Sequence, residues 1–350
     1  VIFDWVIFLL KRENQLQRVT PNNFQPLNTQ IEIVAKNLRV PWSLAFLPDG
    51  RLIFSEREGR IKILLKGDDK PKLVGEISDV KASGEGGLLG LAVDLNFQET
   101  KSIYLYYTYA NLSNLTLNRV VRYKFDGLSL SEPVVIVDKI PGAVNHNGGR
   151  LKFGPDGFLY ITTGDAQKPS LAQDKDSLAG KILRVDRNGN AVFDNPFGNL
   201  IYSYGHRNPQ GLVWDEDNRL WSTEHGPTAQ DELNLIEKGG NYGWPEVEGN
   251  EKKENMINAI IQSGNQTWAP GGAAYFKGSI FFAGLRGKAL FEYRIRDGKL
   301  LKHLGGEFGR IRDVILGPDN MLYIATSNYD GRGTPKPDDD MIIKVNPNLF

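Results

Sequence analysis

The chain contains no cysteine. Disulfides, zinc–thiolate centres and thiol nucleophiles are therefore excluded. Neither charge is in excess: Lys plus Arg and Asp plus Glu both number 42, so bulk electrostatics give no reason to expect nucleic acid or an anionic membrane as partner. No transmembrane span is expected, because the most apolar stretch, Val1 to Leu10 (VIFDWVIFLL), is too short to cross a bilayer. Nothing reads as a long amphipathic helix. Low-complexity tracts are missing too, so the 38 Gly and 18 Pro read as many turns rather than as disorder.

The first thirty residues stand apart. Lys11-Arg12 follows the apolar stretch, whereas a signal peptide carries its positive charge first. The stretch reads as a trimmed secretion signal, a membrane-proximal anchor or a segment docked on the fold, and residues 13–29 read as a polar linker. The expected organisation is an N-terminal segment over 1–30 and one catalytic domain over 31–350, in an extracytoplasmic protein.

What is present is a repeat. An apolar strand, a turn and a second apolar strand occur as SLAF-LPDG-RLIFSE from Ser43, GLAV-DLNFQETK-SIYLYYTY from Gly90 and RLKF-GPDG-FLYITTG from Arg150. They recur as GLVW-DEDN-RLWSTEHG from Gly211, AAYF-KGS-IFFAGL from Ala273 and DVIL-GPDN-MLYIATS from Asp313. Each is followed by a further strand candidate, such as RIKIL or MIIKV. Short strands at a long regular period indicate an all-β propeller, here with six blades. The last copy has three convincing strands and an orphan, Ile31 to Ala35, precedes the first; the orphan is expected to complete the last blade beside Met341 to Val345. A β-sandwich or two β domains is the alternative.

Chemistry-bearing residues recur at equivalent places in these copies. His146 lies in a glycine-rich loop before the third hairpin and Asp165 just after it, which brings a base and its orienter to one end of a sheet. Gly84-Glu85-Gly86-Gly87 precedes the second copy, Arg207-Asn208 the fourth, Trp268 the fifth, and Arg310 and Arg312 open the sixth. His225-Gly226-Pro227 and Arg286 follow second strands. Converging on one axis, four arginines make an electropositive floor suited to a ligand with several carboxylates or phosphates.

The strings NHNGGRLKFGPDGFLYITTGD, YGHRNPQGLVWD, EHGPTAQDELNLIEKGGNYGWP and GRIRDVILGPDN, in that order, resemble the soluble pyrroloquinoline-quinone (PQQ)-dependent aldose sugar dehydrogenases, relatives of soluble glucose dehydrogenase. The resemblance spans about residues 31–347 and implies a six-bladed propeller of four-stranded antiparallel blades. It implies oxidation of an aldose at C1 to the lactone, with PQQ and Ca²⁺ as cofactors and an unidentified electron acceptor. It makes His146 the general base, Asp165 its orienting acid, Arg207 the arginine over the quinone oxygens, and Asn208, Arg310 and Arg312 cofactor contacts. Arg286 stands where relatives can carry lysine. The backbone carbonyls of Gly226 and Pro227 match the catalytic Ca²⁺ ligands.

Several positions depart from the pattern. Glu85 stands where relatives often have Gln; it can bind a sugar hydroxyl, but beside an anionic cofactor it is expected to be protonated or displaced. Trp268 is the one candidate for an aromatic wall of the cofactor and sugar pocket. Glu232 and the carbonyl of Tyr242 match ligands of a second calcium ion, yet Lys252 lies where another acid is expected. Short loops between copies imply an open pocket and a broad sugar range. Two other classes compete. A Ca²⁺-dependent lactonase would want side-chain carboxylates on its metal, and a non-catalytic binding platform would need no His–Asp pair.

Overall fold

The computed structural model describes residues 31–350, so the readings of residues 1–30 lie outside the described residues. Among the described residues no helix is long and apolar enough to cross a membrane. The fold is six four-stranded antiparallel sheets, arranged as the blades of a propeller.

Each blade begins with an inner strand: Pro41–Phe46, Leu88–Val93, Leu151–Phe153, Pro209–Trp214, Pro270–Phe276 and Ile311–Leu316. The second and third strands continue outward, and their side chains pack between neighbouring blades. Ile53, Ile61, Leu159, Ile161, Leu183, Phe282 and Ile324 are wholly buried in this way. Runs buried on both faces read as continuous β-branched and aromatic sequence, which is why the hairpins stand out. The sixth blade closes the ring as expected. Ile31–Ala35 pairs antiparallel with Ile342–Val345, with Ile31 opposite Val345 and Ile33 opposite Ile343.

The inner strands crowd the axis. A Cβ added to Gly90 would fall 2.1 Å from the Gly149 carbonyl oxygen, and one added to Gly271 would fall 2.1 Å from that of Arg312. Only glycine allows this approach. The side chains that do point inward form a plug. Arg150 faces Asp313 across the axis (Nη2–Oδ1 3.2 Å), with both side chains buried. The guanidinium also donates to the Gln210 carbonyl (2.9 Å) and the Ser43 hydroxyl (3.1 Å), and it covers the Trp42 ring. The second Asp313 oxygen accepts the Leu44 N–H at 2.8 Å. Removing one partner of a buried pair leaves the other charge without compensation. Arg150→Met is therefore expected to lower unfolding stability by about 3 kcal/mol, and Arg150→Met with Asp313→Asn by less, as read by chemical denaturation.

Candidate active site

The lead-in to every inner strand and the exit from every second strand lie at the same end of the ring. That topology gathers residues distant in sequence around a pocket of about 220 Å³ on the axis. Glu85, His146, Arg207, Gly226, Pro227, Arg286, Arg310 and Arg312 all line it.

His146 sits in the left-handed region (φ 61°), held there by its glycine-rich loop. Its Nδ1 is 2.8 Å from Asp165 Oδ1. Asp165 is fully buried, and its other oxygen accepts the Trp244 indole N–H at 2.8 Å. The Gln167 N–H adds a further bond to Oδ1 at 2.8 Å. With Nδ1–H given to the carboxylate, Nε2 is left as a proton acceptor. It makes no hydrogen bond among the described residues.

A ring of cations surrounds this imidazole. The four expected arginines are joined by Arg57 and Arg332, which also line the pocket. Arg310 pairs with Asp330 (Nη2–Oδ2 2.7 Å), and Arg312 donates to Gln210 Oε1 at 2.9 Å. Arg207 lies over the Trp244 ring, with its backbone N–H on Glu224. Burial pushes the Arg312 guanidinium down to about 10 and lowers Arg57 and Arg207 as well. Three buried Nε–H groups in this ring, those of Arg57, Arg207 and Arg312, have no hydrogen-bond partner, nor does the nearby Asn208 Nδ2. Asn208 Oδ1, in contrast, accepts the Gly148 N–H at 3.0 Å.

Opposite the base, Gly226 and Pro227 form a turn held by the buried Asp231. That carboxylate accepts the Gly226 N–H (3.0 Å) through one oxygen, and the Thr267 hydroxyl (3.0 Å), Trp268 N–H (2.6 Å) and Ala269 N–H (2.9 Å) through the other. A Cβ on Gly226 would fall 2.0 Å from the Ala229 carbonyl, so the turn requires glycine. The Gly226 and Pro227 carbonyls accept no hydrogen bond among the described residues. Among those residues no three His, Cys, Asp or Glu side chains cluster as a metal site. A cation here would be bound by carbonyl oxygens, which suits a hard ion.

One sequence expectation is corrected. Trp268 does not wall the pocket: its indole is buried against Phe282 and Phe291, with ring centroids 5.5 and 5.7 Å away, and only its backbone reaches the site. Glu85 is held as a carboxylate by the protein's own groups. Burial opposes its ionisation, but His225, the His146 N–H and Arg332 outweigh burial and hold it at about 2. Arg332 Nη1 lies 2.7 Å from Glu85 Oε1, while Oε2 accepts the His146 N–H at 3.0 Å. Glu232 and Tyr242, expected as ligands of a second calcium ion, lie outside the main pocket. They line a separate cavity of about 20 Å³ behind Arg207, where burial and Glu224 push the Glu232 carboxyl up to about 8. Lys252 does not line that cavity. His206 is structural, fully buried between Glu224 and Ser203 at 2.8 Å from each.

The family model for glucose/sorbosone dehydrogenases matches residues 38–338. This chain belongs to that family. The dehydrogenase is 30% identical to aldose sugar dehydrogenase YliI of Escherichia coli, over 92% of this chain and 94% of that one. Among solved structures it superposes on the PQQ-bound form of aldose sugar dehydrogenase from Streptomyces coelicolor with a TM-score of 0.86 at 40% identity, covering 90% of this chain and 97% of the other. A putative glucose dehydrogenase from Thermus thermophilus gives a TM-score of 0.85 at 42% identity, covering 90% and 99%. The family makes this protein an oxidoreductase.

Sequence reasoning missed Arg57, Arg332, Trp244 and Asp231. Arg57 was open to discovery, because it follows the second strand of the first hairpin as Asp165 and His225 follow theirs. Arg332 lies in a loop outside the repeat and carries no such signal.

Glu85 also predicts an acid dependence. A carboxyl depressed from 4.5 to about 2 adds stability that is complete above pH 4.5 and is lost as pH falls toward 2. The stability difference between the parent and Glu85→Gln should therefore be constant from pH 7 to 5 and shrink below pH 4.5. A difference that does not change as pH falls from 4.5 toward 2 would show that the carboxyl is not held down in the folded protein.

Proposed function

We propose that this protein is a quinoprotein aldose dehydrogenase, which oxidises aldoses at C1 to the lactone with PQQ and one Ca²⁺ as cofactors. The observation that carries this reading is the set of buried, unpaired donors on Arg57, Arg207 and Arg312, which line the pocket that holds His146, with the unpaired Asn208 amide beside Arg207 in the chain. Each such group costs about 1–3 kcal/mol while unsatisfied. A ligand with several carboxylate and carbonyl oxygens would satisfy them together. The PQQ-bound relative supports the same choice.

When bound, the quinone supplies a two-electron acceptor for hydride from the anomeric carbon, and the cation supplies Lewis acidity. The chain does the rest. His146 Nε2 takes the proton of the anomeric hydroxyl as the C1–H bond breaks. Asp165 fixes the tautomer that leaves Nε2 free and stabilises the imidazolium that forms, while Trp244 and Gln167 hold Asp165 in place. Arg207 sits beside the base to offset negative charge developing on the cofactor. Arg57, Arg286, Arg310 and Arg312 bind its carboxylates, and Asn208 adds a neutral contact. The Gly226 and Pro227 carbonyls, which accept no hydrogen bond among the described residues, would hold the calcium ion. Glu85, kept ionised, accepts a sugar hydroxyl. An extracytoplasmic location and a separate electron acceptor belong to the same reading.

The protein as isolated should gain aldose oxidation only with both PQQ and Ca²⁺; activity that survives a chelator, or runs on a nicotinamide cofactor alone, would refute the reading. A panel of pentoses, hexoses and disaccharides should show turnover of several sugars, since the loops between the hairpins are short and Trp268 does not wall the pocket.

His146→Ala should lower single-turnover cofactor reduction by about 10²–10⁴-fold while leaving cofactor affinity near the parental value. Asp165→Asn should give a milder loss of rate, and Arg207→Ala a loss of both rate and affinity. Parental reduction by His146→Ala, followed by absorbance, would remove it from the base role.

A further inference from the structure

The plug formed by Arg150 and Asp313 divides the axis in two. Beyond it, at the end of the ring opposite His146, lies a second chamber of about 500 Å³. Its size and composition are those of a small-molecule site, mostly apolar with few polar groups. Phe46, Val93, Trp214 and Ile315 wall it, and Leu95 and Leu316 at its mouth are 56% and 37% exposed.

The charged groups that line this chamber are Arg150, Lys152 and Asp313, and Tyr275 is the other titratable side chain. Arg150 and Asp313 neutralise each other. Both Asp313 oxygens are engaged, one by Arg150 and one by the Leu44 N–H. Lys152, two residues along the inner strand from Arg150, makes no hydrogen bond or ion pair among the described residues. The chamber thus presents one uncompensated ammonium at the foot of an apolar wall.

We propose that this chamber binds a small amphiphilic monocarboxylate, whose head pairs with Lys152 and whose apolar tail lies along the wall toward Leu95 and Leu316. One ammonium calls for one negative charge. A phosphate monoester is disfavoured because Asp313, 3.2 Å from Arg150, balances the charge of the one guanidinium present and leaves a single net positive charge among the lining residues. Burial pushes the Lys152 amine down to about 8, against the attraction of Asp313, so an anion here also relieves a desolvated cation.

The test is calorimetric titration of the full-length protein with decanoate, decanol, decyl phosphate and decyltrimethylammonium. Decanoate should bind saturably, and decanol at least about tenfold more weakly, the worth of a charge-assisted bond. The cation should not bind. Lys152→Met should bind decanoate no better than decanol, and Lys152→Arg should keep the preference. With the parent protein alone, decanoate affinity should fall as pH rises past about 8, where Lys152 loses its proton. No saturable binding, a flat pH profile from 7 to 10, undiminished decanoate binding by Lys152→Met, or a preference for decyl phosphate would each overturn the proposal.

Discussion

Everything in this molecule depends on how closely six inner strands can approach one axis. Glycines at Gly90 and Gly271 let backbones meet where a methyl group would collide with a carbonyl. The space that remains is filled by a few large polar groups, chiefly Arg150, Asp313 and Gln210, laid against Trp42. Because the inner strands are fixed this tightly, the residues that begin them are fixed as well. His146, Arg207 and Arg310 are such residues, and the pocket inherits its rigidity from the axis beneath it.

A second device is shared by the first and fourth blades. An acid at the exit of the second strand ties down the lead-in of its own blade. In the first blade Glu56 accepts the Arg39 N–H at 2.9 Å, and in the fourth Glu224 accepts the Arg207 N–H. In the third blade Thr163 stands at that position, and the acid, Asp165, lies two residues further on, where it meets the imidazole of His146. Asp165 is fully buried and multiply hydrogen-bonded, which fixes its side of the proposed catalytic pair.

The hairpins and the six-fold count were legible because first and second strands are buried on both faces and written in β-branched and aromatic residues. The outermost strands were not. Lys72–Glu76 and Lys299–His303 are polar and largely exposed, and Ile261–Gln262 is only two residues long. Their existence followed from the resemblance, not from pattern. At the pocket, His146 and Asp165 were legible because they flank one hairpin. Arg332 was not, since it meets Glu85 from 247 residues away. Trp268 misled for a physical reason. Its position in the repeat points to the pocket, but the space between Phe282 and Phe291 takes the indole into the core.

The plug has a consequence for traffic. With Trp42, Arg150, Gln210 and Asp313 all buried across the axis, the pocket has no rear exit. A sugar, its oxidised product and whatever carries the electrons away must share one doorway. Reactants that share a doorway take turns, and each in excess obstructs the other. The architecture thus favours a substituted-enzyme kinetic order, in which the sugar half-reaction finishes and clears before the second half begins.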